Sequence, residues 1–517
     1  MKISATTLLI CAVSLTYALN PIITKGSKFF DSVTKQQFFI KGVAYQPRSQ
    51  LKNGIMDPLA DPAACARDAS LMKKLGMNVI RVYQVDPTLD HDACMASFAD
   101  AGIYLILDIA TPRYSINRRT PEYTIHLYNA YKTTVDAFAK YDHLLAFIAG
   151  NEVTNDRSCT LASAYVKASI RDIKQYVRLS KPRRIPVGYA SNDDQFIRDP
   201  IKDYFNCGDE DSQADFFGIN LYEWCGASSF ELSGYKDRTK EFESYSKPVF
   251  LSEYGCNIIT PRPFTEVAAI YGQEMSGVWS GGIVYEWTQE NNLYGLVKVD
   301  DQGGIQELPD YHNLREQMAK VQPKGVDMDS YDEQRSASAC PGISDNWKAS
   351  SALPPTPSEG ACACMIENLG CVASDNVLVA PQGMGNSTLG AQLDAMCGLM
   401  SCIDISGDAE KGEYGMFSFC SPRDKLSWLY DLQAKQIQSC HYENYRQEVE
   451  PKRHDIGACA DVPPSFEAPV DFPVASEPNR ISSTESSSTS SSASTSFRTN
   501  SALLIFALLA VTATVFI

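Results

Sequence analysis

The chain has 517 residues, 44% of them hydrophobic and 21% charged, which gives room for one large globular domain, a smaller one and tails. Its net charge of −16 excludes a nucleic-acid partner, whose phosphates it would repel, and says little about a neutral one. Sixteen cysteines point to disulfides, and the six histidines include none paired at metal-ligand spacing, so neither a metal ion nor a cofactor is expected.

Residues 1–18 read as a secretory signal: Lys2 gives the positive start, residues 8–15 the apolar core, and Thr16-Tyr17-Ala18 the cleavage site. Eight apolar runs follow, at 38–46, 77–85, 103–110, 144–153, 185–190, 216–224, 248–255 and 281–289, with helical patterns between most of them. The clearest helix starts at an Asp61 N-cap with Pro62 in the first position. Cys65, Ala69, Met72 and Leu75 share one face, and Gly76 stops it. Another pattern, over 121–141, carries Ile125, Tyr128, Tyr131, Val135 and Phe138 at helical spacing. Strand and helix alternating eight times predict an α/β fold, a (β/α)8 TIM barrel over 19–345. An open doubly wound sheet would bring a Gly-rich nucleotide loop after its first strand, and none is present.

After Lys320 the pattern turns polar, with Cys340 expected to tie this segment back to the barrel. Residues 346–360, with Pro354-Pro355-Thr356-Pro357, read as a stiff linker. A small, disulfide-stapled module is expected over 361–460, with a glycosylation sequon at Asn386. A Pro-rich, then Ser-rich stalk follows over 461–496. Residues 497–517 end in an apolar tail too short to span a bilayer, with no basic residue after it. That pattern reads as a signal for a glycosylphosphatidylinositol (GPI) anchor, which makes the membrane a partner and places the protein on the outer face of the cell.

The fourth run is too continuously apolar for a half-exposed strand and fits a parallel strand covered on both faces. It ends in Asn151-Glu152, and the seventh ends in Ser252-Glu253-Tyr254-Gly255. Barrels of parallel strands carry their catalytic groups at the C-terminal strand ends. One glutamate there reads as a salt-bridge or capping group. Two at the fourth and seventh strands read as a glycosidase pair, one protonated as acid and the other ionised as nucleophile. Sugars present flat C–H faces, so Tyr83, Tyr222 and Trp287 are candidate platforms, with Gln46 and Asp108 as hydroxyl partners. Glu223 and Glu286 fall out of phase with Tyr222 and Tyr285 and read as structural. No Gly-x-Ser-x-Gly elbow and no Walker loop is present.

The motifs Gly42-Val43-Ala44-Tyr45-Gln46, Arg81-Val82-Tyr83, Gly150-Asn151-Glu152, Asn220-Leu221-Tyr222-Glu223-Trp224-Cys225, Ser252-Glu253-Tyr254-Gly255-Cys256 and Tyr285-Glu286-Trp287 together resemble the fungal β-1,3-glucanosyltransferases of glycoside hydrolase family 72. The order of signal, barrel, eight-cysteine module, Ser-rich stalk and anchor signal is similar as well. The resemblance implies Glu152 as acid/base and Glu253 as nucleophile, with Asn151 on the sugar 2-hydroxyl. Gln46, Tyr83 and Tyr222 match family positions for substrate, and Arg81 and Tyr285 would hold Glu253 ionised and oriented. It also implies a chain-elongating transfer between β-1,3-glucan donor and acceptor chains by a monomer. A β-1,3-glucan hydrolase and a non-catalytic glucan-binding wall protein are the competing readings.

Cys11 leaves with the signal, so the first domain keeps an odd set of seven cysteines and one free thiol. Cys225 and Cys256 each lie three residues past a strand-end site residue on neighbouring strands, so they would meet at the rim. The resemblance implies that pair together with Cys65–Cys94 and Cys207–Cys340, leaving Cys159 as a buried structural thiol. Cys362, Cys364, Cys371, Cys397, Cys402, Cys420, Cys440 and Cys459 form the even set, whose connectivity stays open. This segment resembles a family 43 carbohydrate-binding module. Trp428, Tyr414, Phe417 and Phe419 could stack on glucan, or form the module's core, the reading preferred for most of them.

Overall fold

The computed structural model describes residues 19–46, 57–378, 388–441, 444–459 and 461–464. The expected signal, the Asn386 sequon, nearly all of the stalk and the anchor tail lie outside these residues. Among the described residues no helix is long and apolar enough to cross a membrane, and no cluster of side chains could hold a metal ion.

A hairpin, β1 (Ile22–Lys25) and β2 (Lys28–Asp31), precedes the barrel. Eight parallel strands then close on themselves: β3 (Ile40–Ala44), β4 (Val79–Val82), β5 (Tyr104–Asp108), β6 (Leu144–Asn151), β7 (Val187–Asn192), β8 (Phe217–Asn220), β9 (Val249–Tyr254) and β10 (Trp279–Val284). β10 pairs with β3 to complete the circle, Val284 opposite Val43. Each strand lies within or overlaps its expected apolar run, because both faces are covered and alternation is lost. One set of side chains, including Ile106, Ile148 and Phe250, fills the interior. The other set packs under the helices. The hairpin plugs the N-terminal end, where Phe29 meets the rings of Phe216 and Phe250 at 6.1 and 6.3 Å.

The helices are α1 (Pro62–Leu75), α2 (Asp92–Ala101), α3 (Ile125–Phe138), α4 (Ala162–Ser180), α5 (Arg198–Phe205), α6 (Tyr235–Phe242), α7 (Glu266–Ile270) and α8 (Pro309–Met318). In α1 the Asp61 carboxylate accepts from the Ala63 and Ala64 amides, both at 3.1 Å, and satisfies two of the orphan donors at the helix start. Gly76 ends it at φ +84°, a conformation that favours glycine. Cys65, Ala69, Met72 and Leu75 are its buried face.

Disulfides join Cys65–Cys94, Cys207–Cys340 and Cys225–Cys256 in the barrel, with Cys159 buried and free. The module is built from α9 (Glu359–Glu367), α10 (Leu389–Leu399) and α11 (Pro422–Ile437). Its bridges are Cys362–Cys420, Cys364–Cys459, Cys371–Cys440 and Cys397–Cys402, the connectivity that sequence could not choose. Phe417, Phe419 and Trp428 belong to its core, and Tyr414 packs edge-on against Tyr165 of the barrel.

Residues 346–360 are not a free spacer. Trp347 is fully buried, 5.0 Å from the Tyr204 ring, with its indole N–H on the Ala349 carbonyl. The Thr356 hydroxyl donates to buried Asp172 at 2.7 Å, and Arg171 reaches the Pro354 carbonyl at 2.9 Å. Polar groups on α4 hold the segment to the barrel. Module and barrel also meet directly, through Ile125 N–H on the Phe419 carbonyl and Lys425 on Glu122 at 3.0 Å.

Trp347→Ala removes a buried indole from this strap and is expected to cost about 3–5 kcal/mol. Guanidinium denaturation checks it. A loss under about 1 kcal/mol would mean that the strap rests on the barrel without holding it.

Candidate active site

Glu152 directly follows β6, and Glu253 is the next-to-last residue of β9, so both carboxyls stand at the C-terminal rim. Register sets their height: Asn151 lies opposite Ala190, Asn192 opposite Asn220, and Asn220 opposite Glu253. Glu152 turns into the left-handed region, φ +48°. That conformation costs a non-glycine residue on the order of 1–2 kcal/mol. Two hydrogen bonds hold it there: its N–H donates to the Ala190 carbonyl at 2.9 Å, and its carbonyl accepts from Arg118 at 2.9 Å.

Asn220, which ends β8, ties the Glu152 carboxyl to the strand that carries Glu253. Its side-chain N–H₂ donates to Glu152 Oε1 at 2.7 Å and to Asn151 Oδ1 at 3.2 Å. Its oxygen accepts from the hydroxyl of Ser252, the neighbour of Glu253, at 2.7 Å. Glu253 is only 7% exposed and accepts on both oxygens, from Tyr83 OH at 2.9 Å and from Tyr222 OH at 2.8 Å. Arg81 approaches Glu253 at 3.5 Å and donates to Asn151 Oδ1 at 3.0 Å. With the Asn151 oxygen engaged by two donors, its amide nitrogen is the group left for a ligand.

Burial is the largest influence on Glu253 and raises it, Arg81 lowers it, and Glu152 raises it. The two phenols also lower it, and the balance is a carboxyl pushed up to about 7. Arg81 therefore acts in the expected direction but does not outweigh burial. For Arg81 itself burial works against the charge, yet Asp108, Tyr83 and Glu253 more than offset it and hold the guanidinium firmly charged.

Several expected contacts take a different form. Asp108, read as a partner for a sugar hydroxyl, gives both oxygens to Arg81 at 3.0 and 2.8 Å and is buried. Gln46 accepts the Tyr83 and Gln84 amides at 3.0 and 3.1 Å, which places the Tyr83 hydroxyl. Tyr83 and Tyr222, read as flat platforms, point their hydroxyls at Glu253. Trp287 is fully buried, so it offers no face to a ligand. Tyr285 is buried with its ring 5.3 Å from that of Tyr294, which also lies 5.8 Å from Tyr222. Glu286 is buried and accepts from Asn292 at 2.8 Å.

Sequence reading did not single out Asn220, Ser252 or Arg262. Asn220 carried a usable signal, an amide closing an apolar run as Asn151 does. Arg262 carried none. It lies in a Pro-flanked turn, yet its buried guanidinium binds Asp310 at 2.6 Å and the carbonyls of Gly255 and Tyr285 at 3.1 and 2.6 Å. Gly255, at φ +109°, leaves room there: a Cβ would stand 3.1 Å from that guanidinium.

A group raised from the usual 4.5 to about 7 favours the folded state while protonated and loses that contribution as pH rises through 7. Glu253→Gln should thus gain stability over the wild type between pH 4.5 and 8, by on the order of 1–3 kcal/mol. Melting of both proteins across that range tests it, and parallel pH curves would contradict it.

The sequence profile of the glucanosyltransferase family matches residues 11–322, and that of the X8 domain matches residues 369–446. The chain is 46% identical over 418 residues to the 1,3-beta-glucanosyltransferase GAS2 of Saccharomyces cerevisiae, covering 78% of this chain and 74% of that one. To pH-responsive protein 1 of Candida albicans it is 44% identical over 459 residues, 86% of this chain and 82% of that one. Among solved structures, that of Saccharomyces cerevisiae Gas2p in complex with laminaritriose and laminaritetraose superposes with a TM-score of 0.77 at 44% identity, covering 84% of this chain and 98% of that one. The chain belongs to the glucanosyltransferase family of glycoside hydrolase family 72, with an X8 domain following its barrel.

Proposed function

We propose that this protein is a cell-surface 1,3-beta-glucanosyltransferase. It cleaves a β-1,3-glucan internally and joins the new reducing end to the non-reducing end of a second chain, with retention, in wall assembly. The observation that carries this reading is the placement of Glu152 and Glu253 on one rim, with the Asn220 amide bonded to Glu152 and to Ser252 beside Glu253, and Glu253 held by two phenols and a guanidinium.

Glu253 attacks the anomeric carbon while Glu152 protonates the departing glycosidic oxygen, leaving the donor chain bonded to Glu253. The leaving fragment departs. Glu152, now ionised, takes the proton of an incoming hydroxyl, and that oxygen displaces Glu253 to restore the original configuration. Asn151 donates to the sugar 2-hydroxyl, a contact that strengthens as the ring flattens toward an oxocarbenium ion. In the reactive form Glu152 carries the proton it donates, so the charge that raises Glu253 is absent and Arg81, Tyr83 and Tyr222 favour the carboxylate. The N-terminal signal, the Ser-rich stalk and the apolar tail support secretion and a GPI anchor at the outer face of the plasma membrane.

The purified protein incubated with one defined laminarioligosaccharide should yield products longer than the substrate. Only shorter products would indicate a hydrolase. Glu253→Gln should lower turnover by on the order of 10⁴ or more, and Glu152→Gln by about 10²–10⁴, with both variants folded. Full activity in either removes the assignment.

Tyr222→Phe takes one donor from Glu253. It should cost about ten- to a hundredfold in kcat/KM and move the acid limb of the pH profile upward, because the carboxylate form is less favoured. An unmoved acid limb would remove Tyr222 from this role.

A further inference from the structure

At the end of the barrel opposite the carboxyl pair, a cavity of about 460 Å³ lies between the β1–β2 hairpin and the loops entering β7, β8 and β9. Its inner wall is formed by Ile23, Val177, Ile185 and Pro186, and its charged lining comes from four cations and three carboxylates. Two of the cations are internally satisfied. Lys174 pairs with Asp215 at 3.0 Å and donates to the carbonyls of Glu210 and Gln213 at 2.9 and 2.7 Å, and Arg178 pairs with Asp211 at 2.6 Å. Asp215 also accepts the Val187 amide at 3.0 Å.

Lys247 and Arg184 differ. Among the described residues neither side chain has a hydrogen bond or an ion pair. Lys247 is half-buried, and its ammonium is lowered first by burial and then by the charge of Lys174, while Asp215 and Glu210 act the other way. Two ammonium groups thus face one cavity, and Asp215, the half-buried carboxylate acting on Lys247, is already paired with Lys174. Arg184 adds a planar fork of donors at the mouth, and Glu210 is the one opposing charge without an ion pair of its own there. A tetrahedral oxyanion would give Lys247 its missing acceptor and take two parallel hydrogen bonds from Arg184.

We propose that this cavity is a binding site for a phosphate-class anion, held by Lys247 and Arg184 with Lys174 behind them. The overall charge of −16 argues against a diffuse attraction, since the long-range field of the protein repels anions. Saturable phosphate binding therefore reports a local site. The phosphate could be that of a lipid headgroup or of a soluble phosphorylated compound, and the chemistry of recognition is the same for both.

The test titrates inorganic phosphate into the purified protein at constant ionic strength, followed by calorimetry and phosphorus NMR. The wild type should bind at one saturable site, and Lys247→Gln and Arg184→Gln should each weaken binding at least fivefold. Transfer on laminarioligosaccharides should be unchanged in both, which also shows that they are folded. Co-sedimentation with phosphatidate-containing vesicles, absent with phosphatidylcholine alone, assigns the headgroup as the source. Phosphate binding without vesicle binding assigns a soluble one, and either supports the site. No saturable binding by the wild type, or binding unaltered in both variants, overturns the proposal.

Discussion

The buried guanidinium of Arg81 is the constraint around which the rim is arranged. A guanidinium has five N–H donors in a fixed fork, and leaving any of them unpaired inside a protein is costly. Arg81 is completely buried, and each donor has an acceptor: two go to Asp108, one to Asn151, one to the Ser252 carbonyl and one to Glu253. Those acceptors come from β5, β6 and β9, so one side chain of β4 fixes three other strands relative to one another. Asp108 supplies the counter-charge that keeps this arrangement from collapsing onto Glu253. Without it, Arg81 would be free to pair fully with the nucleophile candidate, which would then be too weak a base.

The second constraint is conformational. A parallel strand that simply continued would send residues 151 and 152 to opposite faces, one into the barrel and one away from it. The left-handed turn at Glu152 breaks this alternation, so that Asn151 and Glu152 both reach Asn220. Because the Glu152 backbone is held through Ala190 on β7 and Arg118 in the loop after β5, its position depends on both neighbouring strands. Asn220 then carries the connection through Ser252 to Glu253.

The strands were legible because burial on both faces leaves an uninterrupted apolar run, and the carboxyls because each closes such a run. The helix starting at Asp61 was legible from its cap and its stop. What could not be read is which polar residues pair with one another. Asp108 and Glu253 look alike as acids at strand ends, and only the position of Arg81 makes one its two-oxygen partner. Tyr83 and Tyr222 look like platforms until the direction of their hydroxyls is known. The strap over 346–360 looked like a spacer because its anchors, Asp172 and Tyr204, are distant in sequence and themselves buried.

The loop between β5 and α3 relates the module to the site. Near its middle Arg118 holds the Glu152 carbonyl, at Glu122 it meets Lys425, and where α3 begins the Ile125 amide donates to Phe419. Tyr123, between these contacts, is buried close to Asp172, the residue that anchors the strap. The segment is therefore clamped at its C-terminal end by the module and near its middle touches the strained residue of the carboxyl pair. A module joined by a loose spacer could leave this loop free to fray, and the conformational cost at Glu152 would then be met by one hydrogen bond to Ala190. Docked as it is, the module extends the barrel's own packing to the one loop whose position the acid/base candidate depends on, a supporting role that needs no sugar bound to the module.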